Sequence, residues 1–421
     1  MAENRDFIDD LIDIQKGIDA IKNPLGDIPD QIVDSTDPDK PQWNPADYKE
    51  KPHANAAMCL TCSYEKSSCA ACLHACPVGA IEIEEGGIDF RDNCRKCGLC
   101  AAACPTESLY STRIRPKRIY DDVARAAAAY ETAYITCTRA LRRMPRENEV
   151  VLACVGDVTA ETWFSILVDY PNVSVYLPLD ICTACRNTTG EAMLGDAIAT
   201  AEEWSGTGMG LEVDPKALKC KKRREYERKE FVESVKRSTG VAISKANPAA
   251  SAVTSVTQKL RAHTNQISAL EKSLNKACGT TSQKRKRLLT QQRKLLLTSL
   301  QTHPELAPNI RVEYPECDQD ACTMCGACVE KCPTRALDFV GGGRLSVEPT
   351  YCVGCGLCAE VCGDHAIKLV EHDGAELVVP DPEAEKKAAE AAKTRAENEK
   401  NKAEVKKTLN KALDQVEKLA D

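Results

Sequence analysis

The chain has 421 residues, 24 of them cysteine, with 5% aromatic residues and a net charge of −7. Its length excludes a single small domain, and its cysteines are too dilute for a disulfide scaffold and too many for an ordinary reduced enzyme. So few Phe and Trp residues argue against a large aromatic core and leave metal ligation to supply part of the order.

Residues 1–52 form an acidic extension with no basic leader region and no twin-arginine pair, so no export signal is expected. Phe7, Ile8, Leu11, Ile12, Ile14, Ile18 and Ile21 fit a short amphipathic helix. No run of about 18 apolar residues occurs, so no membrane-spanning helix is expected. These features point to the cytoplasm, where thiols stay reduced and clustered cysteines read as metal ligands.

Residues 53–118 contain a first island of nine cysteines, Cys59 to Cys104. Residues 312–380 contain a second island of nine, Cys317 to Cys362. Both read C-x2-C-x3-C-P, an apolar stretch, a glycine turn, then C-x2-C-G-L-C-x3-C. In such a run three thiolates wrap one iron–sulfur cube, and the fourth cysteine turns away to the second cube. The proline after it ends the cysteine loop.

The spacing therefore predicts four ligand sets. In the second island they are Cys322, Cys325 and Cys328 with Cys362, and Cys352, Cys355 and Cys358 with Cys332. Gly363 stands where a second proline would be expected. In the first island one set is Cys94, Cys97 and Cys100 with Cys76. The other is Cys69, Cys72 and Cys104, with its first ligand displaced by the insertion SYEKSS. Cys62 is the nearer candidate for that place and Cys59 the alternative.

On these motifs both islands resemble bacterial dicluster ferredoxin domains. The resemblance implies two 4Fe-4S clusters per domain, four in all, and one-electron transfer at low potential. The stretched first island is also similar to the ferredoxin-type accessory proteins of molybdenum and nitrate reductase systems.

Residues 119–214 read as a small α/β domain. Strands are expected at 133–137, 149–154, 172–182 and 209–214, with helices at 159–169 and 190–204 between them. Cys137, Cys154, Cys182 and Cys185 fall at strand ends, where ligands gather in open parallel sheets. This arrangement is loosely similar to the cysteine-bearing iron–sulfur delta subunits of some hydrogenases. Three readings compete for the quartet: a fifth metal site (iron–sulfur or zinc), a Cys182/Cys185 dithiol, and plain buried cysteines.

Residues 215–311 read as a basic helical connector, with 22 Lys and Arg against 6 Asp and Glu over 216–311. Helices are expected at 223–237 and 282–300, and the segment reads as solvated or packed on an acidic surface. No nucleic-acid reading motif accompanies the charge, so nucleic acid is not the expected partner. Residues 381–421 form a charged, Ala-rich helix whose Val405, Leu409, Ala412, Val416 and Leu419 could dock on a partner helix. Cys220 and Cys278 read as incidental.

No phosphate loop, dinucleotide fingerprint, nucleophile elbow or zinc-protease motif is present. The chain thus reads as an α+β protein with two ferredoxin-like dicluster domains flanking a small α/β domain. Its expected role is electron transfer in an anaerobic setting. Its partner would be a redox protein or the other subunits of an oxidoreductase complex. Two alternatives are a redox-responsive or iron-responsive regulator using the basic segment, and thiol–disulfide chemistry at Cys182 and Cys185.

Overall fold

The computed structural model describes residues 50–84, 86–223, 256–341 and 343–379. The expectations for the N-terminal helix, the 223–237 helix and the C-terminal tail lie outside the described residues. Described residues up to Val378 belong to one compact unit.

Both cysteine islands fold the same way. In the first, β1 (His53–Ala54) pairs antiparallel with β4 (Leu109–Tyr110), and β2 (Ile81–Glu84) forms a hairpin with β3 (Gly87–Phe90). In the second, β9 (Arg311–Cys317) pairs antiparallel with β12 (Ile367–Asp373) over seven residues, and β10 (Leu337–Val340) pairs with β11 (Arg344–Val347). The internal doubling of each island thus becomes an outer strand pair and an inner hairpin, with the cysteine loops between them. In the second island Cys328, Cys358 and Cys362 are buried with Val329, Leu337, Leu345 and Ile367.

Between the islands lies a four-stranded parallel sheet in the order β6 (Glu149–Leu152), β5 (Ala133–Cys137), β7 (Val173–Tyr176), β8 (Gly210–Glu212). All five residues of β5 are buried, as a central strand covered on both faces requires. Strand β7 is shorter than its apolar run suggested: it stops at Tyr176, and Pro178 has no N–H to continue the ladder. Helix α1 (Pro116–Ala129) precedes the sheet, and its Ile119, Val123, Ala126 and Ala127 face the core. Helix α2 (Ala160–Asp169) crosses from β6 to β7, and α3 (Gly190–Ser205) from β7 to β8. Trp163 and Phe164 of α2 are fully buried, with Phe164 edge-on to Trp204 of α3.

Helix α4 (Val256–Ala277) was not expected from the sequence, and α5 (Gln291–Thr302) covers only the end of the helix expected at 282–300. Far from being solvated, α5 buries Leu295, Leu296, Leu297 and Leu300 completely. It packs on α2, and its Ser299 hydroxyl donates to Ser165 at 2.9 Å.

Helix α4 packs on α1 and α5. On α1 the His263 ring stacks on Tyr120 at 4.4 Å. Among the described residues, neither ring nitrogen of His263 has a hydrogen-bond partner. Burial, and then the Lys117 charge, hold its pKa down to about 4 from the ordinary 6.5. The folded chain therefore refuses a proton that the unfolded chain accepts below pH 6.5. The stability this neutral ring provides is full above pH 6.5 and is lost as pH falls toward 4, at about 1.4 kcal/mol per unit. Wild type should lose about 1 kcal/mol more than His263→Phe between pH 6.5 and 5.5, measured by chemical denaturation. Equal losses would remove His263 as the cause.

Candidate metal centres

The four cysteine loops repeat one backbone course. Three residues after the last cysteine of each run stands a residue with positive φ: Gly79, Glu107, Arg335 and His365, at 52–58°. The next N–H then points back at the cysteine sulfur. Ala80 donates to Cys76 Sγ at 3.2 Å, and Ala336 and Ala366 donate to Cys332 and Cys362 Sγ at 3.3 Å. Cys104 instead has the Thr106 hydroxyl at 3.6 Å. Such bonds stabilise a thiolate, and around a bound cluster they help set its potential.

The first residues of the loops repeat too. Lys96, Met324 and Gly354, each just before the second cysteine, have positive φ, as do Gly98, Gly326 and Gly356 just after it. At Gly98 glycine is required twice over, because φ is +83° and a Cβ would collide with the Asp157 carboxylate. The loop at Cys69–Cys72 departs from this course: Ala70 has φ −130°.

The sequence-predicted sets come together in space. Cys76, Cys94, Cys97 and Cys100 line one small cavity of about 20 Å³. Burial and then the Asp157, Cys94 and Cys76 charges push the Cys97 thiol up to about 11. Burial and then Cys332 and Cys352 push Cys355 up to about 12, and burial with the three other thiols of that set raises Cys358 further. Burial pushes Cys328 up to about 11, with Cys322 and Cys325 adding to the rise. In the stretched set, burial and then Cys104, Cys59 and Cys69 push Cys72 up to about 12. Cys59, buried, is thus the upstream cysteine that faces Cys69 and Cys72. Cys62 lies behind it, half-buried, with Cys59 as its thiol neighbour and Gly87 O at 3.7 Å. Cys317 lies beside Cys322 in a similar way.

All 24 cysteines are free thiols. Buried, mutually repelling thiols favour the protonated form, so metal must displace their protons when it binds. Buried and half-buried thiols in converging sets, with Cys325 exposed and N–H donors aimed at three of the sulfurs, fit cubane iron–sulfur clusters well.

The insertion that stretched the first spacing docks the two islands together. The Ser68 N–H donates to Glu360 at 3.2 Å, and its hydroxyl bonds the same carboxylate. Lys331 Nζ donates to Ser63 O at 3.0 Å. Glu360 lies two residues from Cys358 and Lys331 is next to Cys332, so the contact abuts one ligand set of the second island. Helix α5 makes a second bridge. Glu107 of the first island accepts from the Gln291 and Gln292 N–H groups at 2.8 Å, capping the helix start. Two residues on, Arg293 donates to Cys352 O at 2.8 Å in the second island.

The middle quartet also converges. Cys137 ends β5, Cys154 follows β6 by two residues, and Cys182 and Cys185 sit in the loop after β7. All four line a cavity of about 780 Å³ with Arg95, Arg139 and Arg142. Burial, then Glu191 and the neighbouring thiols, pushes Cys182 up to about 11, the opposite of an activated dithiol. Among the described residues, no three His, Cys, Asp or Glu side chains close around a single metal ion. That the displaced first ligand would come from Cys59 or Cys62 could be read from the spacing. The docking role of the insertion was not.

Two segments match family models, both described as a 4Fe-4S dicluster domain: residues 67–109 and 321–366. The chain therefore carries two 4Fe-4S dicluster domains. Neither a curated protein nor a solved structure matches the chain. Among the described residues, no helix is long and apolar enough to cross a membrane.

Proposed function

We propose that the chain is an iron–sulfur electron carrier holding four 4Fe-4S clusters, and that it works in the cytoplasm as a relay subunit or soluble partner of a larger oxidoreductase. When bound, such clusters supply reversible one-electron storage. The protein holds and insulates them and fixes their order.

The observation that carries this reading is the contact between the dicluster domains through Ser63, Ser68, Lys331 and Glu360. It brings the set of Cys69, Cys72 and Cys104 toward the set of Cys332, Cys352, Cys355 and Cys358. Within the first domain, Cys72 is an electrostatic neighbour of Cys100. These contacts support reading the four sets as a continuous series rather than two isolated pairs. No buried nucleophile–base arrangement or substrate site is needed to account for this geometry. We assign Cys59 as the upstream ligand of the stretched set, because it faces Cys69 and Cys72 while Cys62 lies behind it. The remaining candidate, a metal at the middle quartet, is taken up below.

Protein purified without oxygen should contain about 16 irons in dicluster-type sites, read by iron and sulfide analysis with low-temperature EPR. A content near 8 would remove one domain from the reading. Cys59→Ser should lose about four irons and Cys62→Ser none; the reverse result returns the ligand to Cys62.

A further inference from the structure

We propose that Cys137, Cys154, Cys182 and Cys185 hold a further iron–sulfur cluster, placed beside the Cys76/Cys94/Cys97/Cys100 set. Its place at the end of the series rests on the four-cluster reading above; its existence does not.

The four thiols come from three separate chain segments that only the parallel sheet unites. The strand order turns around β5, so a crevice opens beyond the carboxyl ends of β5 and β7, where such sheets bind ligands. Cys137 and Cys154 are buried, yet all four thiols also reach the wall of one cavity of about 780 Å³, beside polar and charged residues that small apolar filler would not need.

The loop carrying two of them is held in place. Arg139 donates from Nη2 to Ala184 O at 2.8 Å and from Nε to Ile181 O at 3.4 Å. The Asn187 N–H points at Cys185 Sγ at 3.5 Å, the same kind of donor found at the dicluster cysteines. Cys154 is fixed from the other side. A Cβ on Gly190 would approach its sulfur to 2.6 Å, so the start of α3 lies directly against that thiol. The Thr189 hydroxyl ties this helix start to Ala75 O of the first dicluster domain at 2.7 Å.

Cavity size and charge favour a cluster over a zinc ion, which needs only a tight tetrahedron of four thiolates. Thiols on the wall of a roomy cavity suit an inorganic body larger than one ion. An all-thiolate cluster is also anionic, and Arg95, Arg139 and Arg142 line the same cavity.

The neighbourhood gives its place. Arg95 belongs to the loop between Cys94 and Cys97 and reaches the wall of this cavity. Cys97 and Cys154 share one buried core with Leu99 and Ala75. The quartet is thus a direct neighbour of the first domain, while the second domain lies at the other end of the series.

The test uses full-length protein purified without oxygen. Iron, sulfide and zinc per chain are measured for wild type, Cys182→Ser and Cys137→Ser/Cys185→Ser, with EPR of the reduced protein. Cys182 is half-buried on a loop, so its replacement leaves the core intact. Wild type should carry two to four irons beyond the dicluster complement. Both variants should lose that increment with matching sulfide and keep the dicluster signals. Iron unchanged in Cys182→Ser, or a loss of zinc without iron, overturns the proposal. A wild-type content far below 16 that still falls by two to four in the variants would instead overturn the four-cluster reading and leave the quartet cluster standing.

Discussion

Cys358→Ala should remove about four irons, a quarter of the dicluster complement, and leave the first domain's clusters in place. Cys358 is buried in the core of the second domain and faces Cys332, Cys352 and Cys355. Alanine supplies no ligand and leaves a cavity beside Leu337 and Ile367. The effect should also reach the interface. Cys358 belongs to the short helix Leu357–Glu360, whose last residue accepts from Ser68 of the first domain. Loss of that cluster should therefore loosen the contact, seen as faster proteolysis near residues 63–68. EPR of the reduced variant should keep the first domain's signals. Disappearance of signals from both domains would show that the islands do not bind metal independently.

The cysteine pattern carried most of this site in the linear sequence. Its spacing is local, and the bend it enforces is local too, so the sets of Cys94 to Cys100 and Cys352 to Cys358 could be read directly. Strands β5 and β6 were equally legible, because short β-branched runs between turn residues leave few alternatives.

What escaped the sequence is non-local. The insertion SYEKSS looked like a disturbance of spacing; only the fold shows Ser63 and Ser68 reaching the second domain. For the same reason proximity along the chain favoured Cys62, whereas in the fold Cys59 is the electrostatic neighbour of Cys69 and Cys72. Helix α5 was hidden by its neighbours. The Lys and Arg residues at 284–287 suggested solvent, yet Leu295, Leu296, Leu297 and Leu300 of α5 are fully buried. Helix α4 offered a weak signal in Leu270 and Leu274, both buried, within an otherwise polar run. Positive φ at Lys96, Met324 and His365 has no residue signature, since tertiary context imposes it.

Arg293→Met should lower the potential of the cluster proposed at Cys332, Cys352, Cys355 and Cys358, on the order of 50–100 mV. Arg293 is buried on α5, donates to Cys352 O at 2.8 Å, and has Glu161 and Cys352 as its charged neighbours. A cation there favours the more negative, reduced state of a bound cluster. Removing it stabilises the oxidised state, so the potential falls. Methionine fills similar volume, and the carbonyl left without its donor costs about 1–3 kcal/mol, partly offset by no longer burying a charge. The potential should therefore shift more clearly than the stability. Arg293→Lys separates the causes: it keeps the charge but cannot reproduce the guanidinium's geometry, so most of the potential should return. Potentials are read by EPR-monitored redox titration of both variants. If Arg293→Lys shifts as far as Arg293→Met, the hydrogen bond to Cys352, not the charge, sets the potential. If neither shifts, α5 serves only to brace the two domains against each other.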